Sequence, residues 1–293
     1  MKPAPFEYLA PDTLEEALER LQEGGYDAKV LAGGQSLVPA MNFRLAQPAI
    51  LVDINKVKDL DYIRPADGSG LRIGAMVRQR RVELEPTVAD QVPLLAEAMP
   101  FVAHPQIRNR GTLGGSMAHA DPAAELPVVA LALEARFKLC RAGSERWVLA
   151  ENFFLGLFTT ALEPEELLVE VELPAQPGTG WAFLEFSRRQ GDYALMGVAA
   201  LVRLDEKGVC QKARLVYLNA GEGPAVAQGA SALLQGEGLT EAAIEAAAVK
   251  ASEEEIDPWW NVHATPAYQR HLARVLTRRA LRLARERAAS PGN

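Results

Sequence analysis

The sequence predicts an α+β chain of two domains, the first of them divided into two lobes. Three observations carry this. Two glycine-rich segments, Ala32-Gly33-Gly34-Gln35-Ser36 and Thr112-Leu113-Gly114-Gly115-Ser116, lie in the N-terminal part, each followed by an apolar stretch. A run rich in proline and glycine, Pro174 to Gly180, reads as a linker. Beyond it, strand-like segments come first and helix-like segments last, the order expected of an antiparallel sheet with helices on one face. With 293 residues, 48% of them apolar, the chain is long enough for a sizeable core.

The elements follow in order. Thr13 to Gln22 reads as a helix, with Thr13 as N-cap, Glu16 completing a capping box and Leu14, Ala17, Leu18 and Leu21 as its apolar stripe. Gly24-Gly25 ends it. Lys29 to Ala32 is a short strand that runs into the first glycine segment. Leu37 to Arg44 reads as a helix capped by Ser36, and Ile50 to Ile54 as a buried strand, closing a small α/β lobe near residue 57. In the second lobe, Leu71 to Ala75 is a strand. Val92 to Val102 is a helix interrupted by Pro105. Arg136 to Cys140 and Arg146 to Leu149 form a hairpin, and Leu167 to Leu173 a strand with an acidic edge. After the linker come three strands, Trp181 to Phe186, Gly197 to Leu204 and Ala213 to Asn219. Two helices follow, Glu241 to Ser252 and Pro266 to Arg287, and Ala289 to Asn293 read as a frayed end.

Composition excludes several classes. A net charge of −7 argues against general nucleic-acid binding. No stretch approaches the roughly 20 apolar residues of a membrane helix, and the first residues lack a signal-peptide core, so a cytoplasmic protein is expected. Cys140 and Cys210 are too few for an iron–sulfur cluster and read as buried hydrophobes. His104, His119, His263 and His271 lack the spacing of a zinc site.

The glycine segments carry the chemistry. Backbone N–H groups free of side-chain bulk make a nest for phosphate oxygens, and Ser36, Thr112 and Ser116 add hydroxyls. Two such walls suit one pyrophosphate, hence a dinucleotide, although neither the Rossmann fingerprint nor a P-loop is present. Either segment alone is also compatible with an ordinary tight turn. Ser116, His119 and Asp121 do not make a catalytic triad, because one short loop offers neither an oxyanion hole nor an orienting scaffold. Asp121 is placed to accept from sugar or ribityl hydroxyls, or else to cap the next turn. Tyr193, after Gly191, can stack on a flat ring or fill the core. Arg270, Arg274, Arg278 and Arg282 share one helical face. That face reads as a solvated surface paired with acidic neighbours or as a docking surface, and Trp259 and Trp260 as interface anchors or core.

At the level of longer segments the chain resembles a known family. They are Ala32 to Pro39, Ile107 to Ser116 and His119 to Glu125, supported by Phe153 to Gly156, Arg188 to Ala194 and Tyr268 to Leu272. In these it is similar to the FAD-binding medium subunits of the molybdenum hydroxylases, the group of xanthine dehydrogenase and carbon monoxide dehydrogenase. The resemblance implies a two-lobed FAD domain of the vanillyl-alcohol-oxidase (PCMH) type over residues 1–176, with lobes 1–57 and 58–176. A C-terminal domain of a three-stranded antiparallel sheet and a helical layer would follow over 177–288. It implies that Ala32, Gly33, Gly34, Gln35, Ser36 and Leu37, with Thr112, Gly114, Gly115 and Ser116, hold the pyrophosphate of a non-covalent FAD. Asp121 would bind the FAD chain, Tyr193 would lie over the isoalloxazine, and Ile107 would line the ring. It further implies a molybdenum-pterin large subunit and a small subunit with [2Fe-2S] clusters as partners, in a dimer of three-subunit units.

Two departures stand out. Gln35 replaces a histidine found in some relatives, and Pro258 to His263 differs from the commoner aspartate-rich version. In this reading the chain relays electrons and needs no acid–base pair of its own. The competing expectations are a free-standing flavin reductase or oxidase, and a structural subunit that has lost its flavin. The substrate of the complex and the final acceptor are not written in this chain.

Overall fold

The computed structural model describes residues 2–289. The N-terminal lobe runs β1 (Glu7–Leu9), α1 (Leu14–Gly24), β2 (Ala28–Leu31), α2 (Leu37–Asn42) and β3 (Ile50–Asp53). Its three strands are parallel in the order β1-β3-β2. Thr13 caps α1 by accepting from Glu16 N at 3.2 Å, but the Glu16 carboxylate turns to Asp12 N rather than to Thr13, so the capping box is only half formed. Ser36 does not cap α2. It has helical φ and ψ and makes no capping bond, because the first turn already begins at Gly34, whose carbonyl accepts from Val38 N.

The second lobe comprises β4 (Ile63–Pro65), β5 (Leu71–Gly74), α3 (Gln79–Leu84), α4 (Pro86–Gln91), α5 (Pro93–Ala98), α6 (Pro105–Arg108), α7 (Leu113–His119), α8 (Glu125–Ala132), β6 (Arg136–Arg141), β7 (Ser144–Leu149), β8 (Phe154–Gly156), β9 (Thr159–Thr160) and β10 (Leu167–Leu173). The sheet order is β4-β5-β10-β6-β7, with β8 and β9 a separate hairpin. Three expectations change here. The single helix over Val92 to Val102 is α5 followed by a 3-10 turn, and Pro105 starts α6 instead of breaking a helix, since proline fits the first helical position. The strand Leu167 to Leu173 is central and buried. Its carboxylates are no solvent edge, for Glu170 meets Arg64 at 2.7 Å and Glu172 is bracketed by Arg72 and Arg136. The second glycine segment is not a loop but the first turn of α7, started by Thr112, which accepts from Gly115 N at 3.0 Å. Thr112→Ala is expected to cost about 1–2 kcal/mol of stability, the usual weight of a lost N-cap, read as a lower midpoint in urea.

The C-terminal part runs β11 (Thr179–Ser187), β12 (Ala194–Leu204), β13 (Cys210–Leu218), β14 (Ala225–Val226), α9 (Gln228–Leu234), α10 (Glu241–Lys250) and α11 (Pro266–Ala289). The expected three antiparallel strands carry a fourth of two residues, β14, and α9 is an additional helix. Residues 290–293 of the expected frayed end lie outside the described residues, while Ala289 is still helical.

This sheet is buried on both faces. Ala182, Val198, Ala200 and Leu215 face α9 to α11. Phe183, Ala199, Leu201, Val216 and Leu218 face the other way, into one core with α5 and α8. Helix α8 is buried all round, which explains an apolar run with no polar stripe. Asn219 N donates to Pro122 O at 2.7 Å, and Arg287 reaches Glu97 and the Trp181 carbonyl, both at 2.6 Å. Cys140 and Cys210 are buried free thiols. No helix among the described residues is long and apolar enough to cross a membrane.

Candidate functional site

The first glycine segment leaves β2 and turns before α2. Among the described residues, no protein acceptor faces the N–H groups of Gly33, Gly34, Gln35 or Ser36. Gly34 holds the turn with φ +74°, and Gln35 Nε2 braces it on Gly33 O at 3.1 Å. A Cβ on Gly33 would lie 2.5 Å from Arg110 O and 2.7 Å from Gly111 Cα, so only glycine lets this turn meet the 110–111 backbone. Four consecutive free donors held in place form an anion nest.

The second segment works differently from the expected twin nest. Leu113 N and Gly114 N donate to Val77 O and Ala75 O, Gly115 N to Thr112 Oγ1 and Ser116 N to Thr112 O. Its glycines serve close packing instead. A Cβ on Gly114 would meet Ala75 Cβ at 2.5 Å, and one on Gly115 would stand 3.6 Å from Ala32 Cβ. The segment therefore brings the start of α7 against the first turn, and Ser116 keeps a hydroxyl with no hydrogen-bond partner among the described residues.

A pocket of about 320 Å³ opens on the first turn, lined by Ala32, Gly33, Gly34 and Gln35 together with Asp53, Asn55 and Arg110. Sequence reasoning missed these last three. Asp53 ends β3 and accepts from Tyr8 at 2.5 Å and from Asn55 N at 2.9 Å, and Asn55 Nδ2 holds Ala32 O at 2.8 Å. Burial raises the Asp53 carboxyl, but the bonds from Tyr8 and Asn55 and the Arg110 charge outweigh it, so Asp53 stays below the usual carboxylate range. Arg78 donates to Asn55 Oδ1 at 2.6 Å and also bonds Arg110 O, tying both walls together. Arg110 makes no hydrogen bond through its own guanidinium among the described residues. It is a cation at the mouth of an anion nest.

The remaining expected residues lie away from this pocket. Ile107, half-buried in α6, accepts from Gly111 N at 2.7 Å, which links it to the pocket wall. Asp121 Oδ1 accepts from Ala123 N at 2.9 Å, so one of its oxygens does cap the next turn. Tyr193 is 72% exposed and is not a core residue. Although much of its surface is open, its phenol is raised, first by the protein around it and then by the charges of Asp121 and Glu125. Gly191, at φ +84°, packs on the His104 ring, where a Cβ would come within 2.2 Å, and this fixes the loop that presents Tyr193. Ser116, His119 and Asp121 make no hydrogen bonds with one another.

The arginine face of α11 is partly exposed and paired with groups of the same chain, as in the reading of a solvated face with acidic neighbours. Arg274 and Arg278 bind Glu245, Arg282 and Arg285 bind Glu241, and Arg270 holds the carbonyls of Ser252 and Ile256. Trp259 and Trp260 are exposed.

A two-lobed mixed unit with an anion nest, a cation at its mouth and glycine-mediated contact between the walls defines a protein that binds a dinucleotide. The comparisons specify which. Residues 4–176 match the family described as FAD binding domain in molybdopterin dehydrogenase, and residues 181–284 the CO dehydrogenase flavoprotein C-terminal domain. The chain is 45% identical to the 6-hydroxypseudooxynicotine dehydrogenase complex subunit alpha of Paenarthrobacter nicotinovorans, over 98% of this chain and 97% of that one. It superposes on carbon monoxide dehydrogenase of Hydrogenophaga pseudoflava with a TM-score of 0.94 at 40% identity, covering 98% of this chain and 99% of that one. For quinoline 2-oxidoreductase of Pseudomonas putida 86 the values are 0.93 and 39%, covering 99% and 100%. The chain belongs to the FAD-binding medium subunits of the molybdenum hydroxylases, flavoprotein subunits of multi-subunit oxidoreductases.

Proposed function

We propose that this chain is the electron-transfer subunit of its complex. It holds FAD non-covalently, receives electrons from [2Fe-2S] clusters of a small partner subunit and passes them to an external acceptor. The observation that carries this reading is the free N–H nest of residues 33–36, clamped to the 110–111 backbone in a chain alike over its whole length to medium subunits.

The residues divide the work. The nest and the adjoining Ala32 and Leu37 seat the pyrophosphate, Gly114 and Gly115 let the start of α7 close on it so that the Thr112 and Ser116 hydroxyls face it, and Arg110 supplies the positive charge that the turn lacks. The second Asp121 oxygen accepts from the ribityl chain. Ile107 and Tyr193 border the ring and limit what reaches it. Bound FAD supplies chemistry that accepts a pair of electrons and releases them singly or together, while the protein tunes and shields it. Around this chain we place a molybdenum-containing large subunit and a [2Fe-2S] small subunit in a cytoplasmic dimer of three-subunit units. The domain division falls at residues 176/177.

The test is the visible spectrum of the purified chain with FAD, before and after anaerobic dithionite. One flavin per chain that bleaches on reduction, with no turnover until both the molybdenum-containing and the [2Fe-2S] subunits are added, is the expected result. Turnover of a substrate by the isolated chain would favour a free-standing enzyme, and a folded chain that takes up no FAD would favour a structural subunit. Tyr193→Ala is expected to lower FAD affinity only a fewfold, since a stacked aromatic contributes about 0.5–1.5 kcal/mol. It should make the flavin fluorescence more open to quenching by iodide. Unchanged quenching would remove Tyr193 from the ring.

A further inference from the structure

A second cluster of ionisable groups lies where α8 meets the C-terminal sheet. Glu125 opens α8 and is only 8% exposed, with no side-chain partner among the described residues. Glu185 lies on β11 two residues after Phe183, so both side chains leave the strand on the face that packs against α5 and α8. Glu185 Oε2 is sealed from solvent and has no hydrogen-bond partner. Across the ladder stands Gly197, where a Cβ would come within 3.0 Å of Glu185 Cβ.

Basic groups on the neighbouring elements are engaged elsewhere. Arg108 of α6 is spent on Glu83, Arg287 of α11 on Glu97 of α5, and Arg214 of β13 on the far end of α8 at Leu131 O. His104 packs under Gly191. Asp121 acts on Glu125 and Glu125 acts on Glu185, while the Glu125 backbone N–H and, more weakly, Arg108 pull the Glu125 carboxyl the other way. Burial first, then Asp121, pushes Glu125 up to about 7, and burial followed by the charge of Glu125 pushes Glu185 up to about 8. A buried carboxyl without a cation takes a proton rather than remain charged.

We infer that Glu125 and Glu185 are a proton-holding pair beside the ring subsite, which keeps one carboxyl neutral at neutral pH and exchanges a proton when the charge at that subsite changes. This rests on the reading that Ile107 and Tyr193 border the flavin ring. Two electrons and one proton added to the flavin leave one extra negative charge. The pair offsets it by binding one proton from solvent, and the electrons come from the [2Fe-2S] donor, or from dithionite in vitro.

The experiment uses the full chain, wild type and Glu185→Gln, with Glu125→Gln alongside. An infrared pH titration without FAD is expected to show protonated carboxyl in the wild type that persists above pH ~7, and Glu185→Gln is expected to lose the part that persists to the highest pH while keeping the Glu125 signal. Absence of that signal in the wild type overturns the pair wherever the flavin lies. With FAD bound, the midpoint potential of the wild type should fall more steeply with pH where the carboxyl titrates, and Glu185→Gln should lose that steepening. Parallel profiles alongside an intact carboxyl signal overturn the coupling and with it the ring placement. A chain that shows the carboxyl signal but takes up no FAD overturns the cofactor reading itself. If Glu125→Gln does not fold, Glu185→Gln carries both measurements.

Discussion

Gly33→Ala is expected to lower FAD affinity by about 100-fold or more, equivalent to about 2.7 kcal/mol, while leaving a folded chain. The added methyl would lie 2.5 Å from Arg110 O and 2.7 Å from Gly111 Cα, and neither is a side chain that can swing away. The turn and the 110–111 backbone must therefore part. That parting moves the four free N–H groups relative to Arg110, so the nest loses its geometry at the point where a phosphate would touch both walls. The FAD-free protein should lose only about 1–3 kcal/mol of stability, as for an overpacked contact. Flavin absorbance per chain and calorimetric titration with FAD, set against the urea midpoint, separate the two effects. A Gly33→Ala protein that binds FAD as tightly as the wild type would remove the first turn from the site.

Arg108→Ala is expected to cost about 3–5 kcal/mol of folding free energy, the range for breaking a buried ion pair from one side. Arg108 is 4% exposed. Its Nε and Nη2 bind the two Glu83 oxygens at 2.8 and 2.9 Å, and Nη1 binds Val102 O at 2.8 Å. Removal leaves Glu83 with Arg80 alone and a cavity beside α6. Burial raises the Glu83 carboxyl, but Arg108 and Arg80 overcome this and hold it below its ordinary value of 4.5. A lowered carboxylate stabilises the fold above its unfolded pKa and loses that contribution as pH falls through the folded one. Wild-type stability should therefore drop between pH ~4.5 and lower values, and the drop should be shallower in Arg108→Ala. A loss below about 1 kcal/mol at neutral pH would show that water replaces the pair at little cost.

The sequence shows its strands more readily than its helix starts. Alternation and β-branched content mark β3 and β11 to within two residues and β12 and β13 to within three, and the prolines of the linker separate the two sheets. The start of α7 is hidden because Gly114-Gly115 has low helix propensity. Tertiary contact with Ala75 demands those glycines, and Thr112 supplies the cap that offsets them. The charged part of the pocket could not be read locally. Asp53 and Asn55 are two residues apart, but their partners Tyr8 and Arg78 lie 45 and 23 residues away. The arginine face of α11 did have a readable partner. Glu241 and Glu245 are spaced by four on the preceding helix, the same step as the arginines that bind them.

The order of elements in the C-terminal part bears on how the chain is made. All four strands of that sheet precede α10 and α11, the helices that close one of its faces. During synthesis, Val198, Ala200 and Leu215 therefore leave the ribosome well before their cover exists. For that interval the nascent chain presents a wide sticky surface, the kind that chaperones hold and that aggregation exploits. A slow stretch of translation between β14 and α11 would lengthen the exposure, so yield in a foreign host should respond to codon choice there more than to any change near the nucleotide pocket.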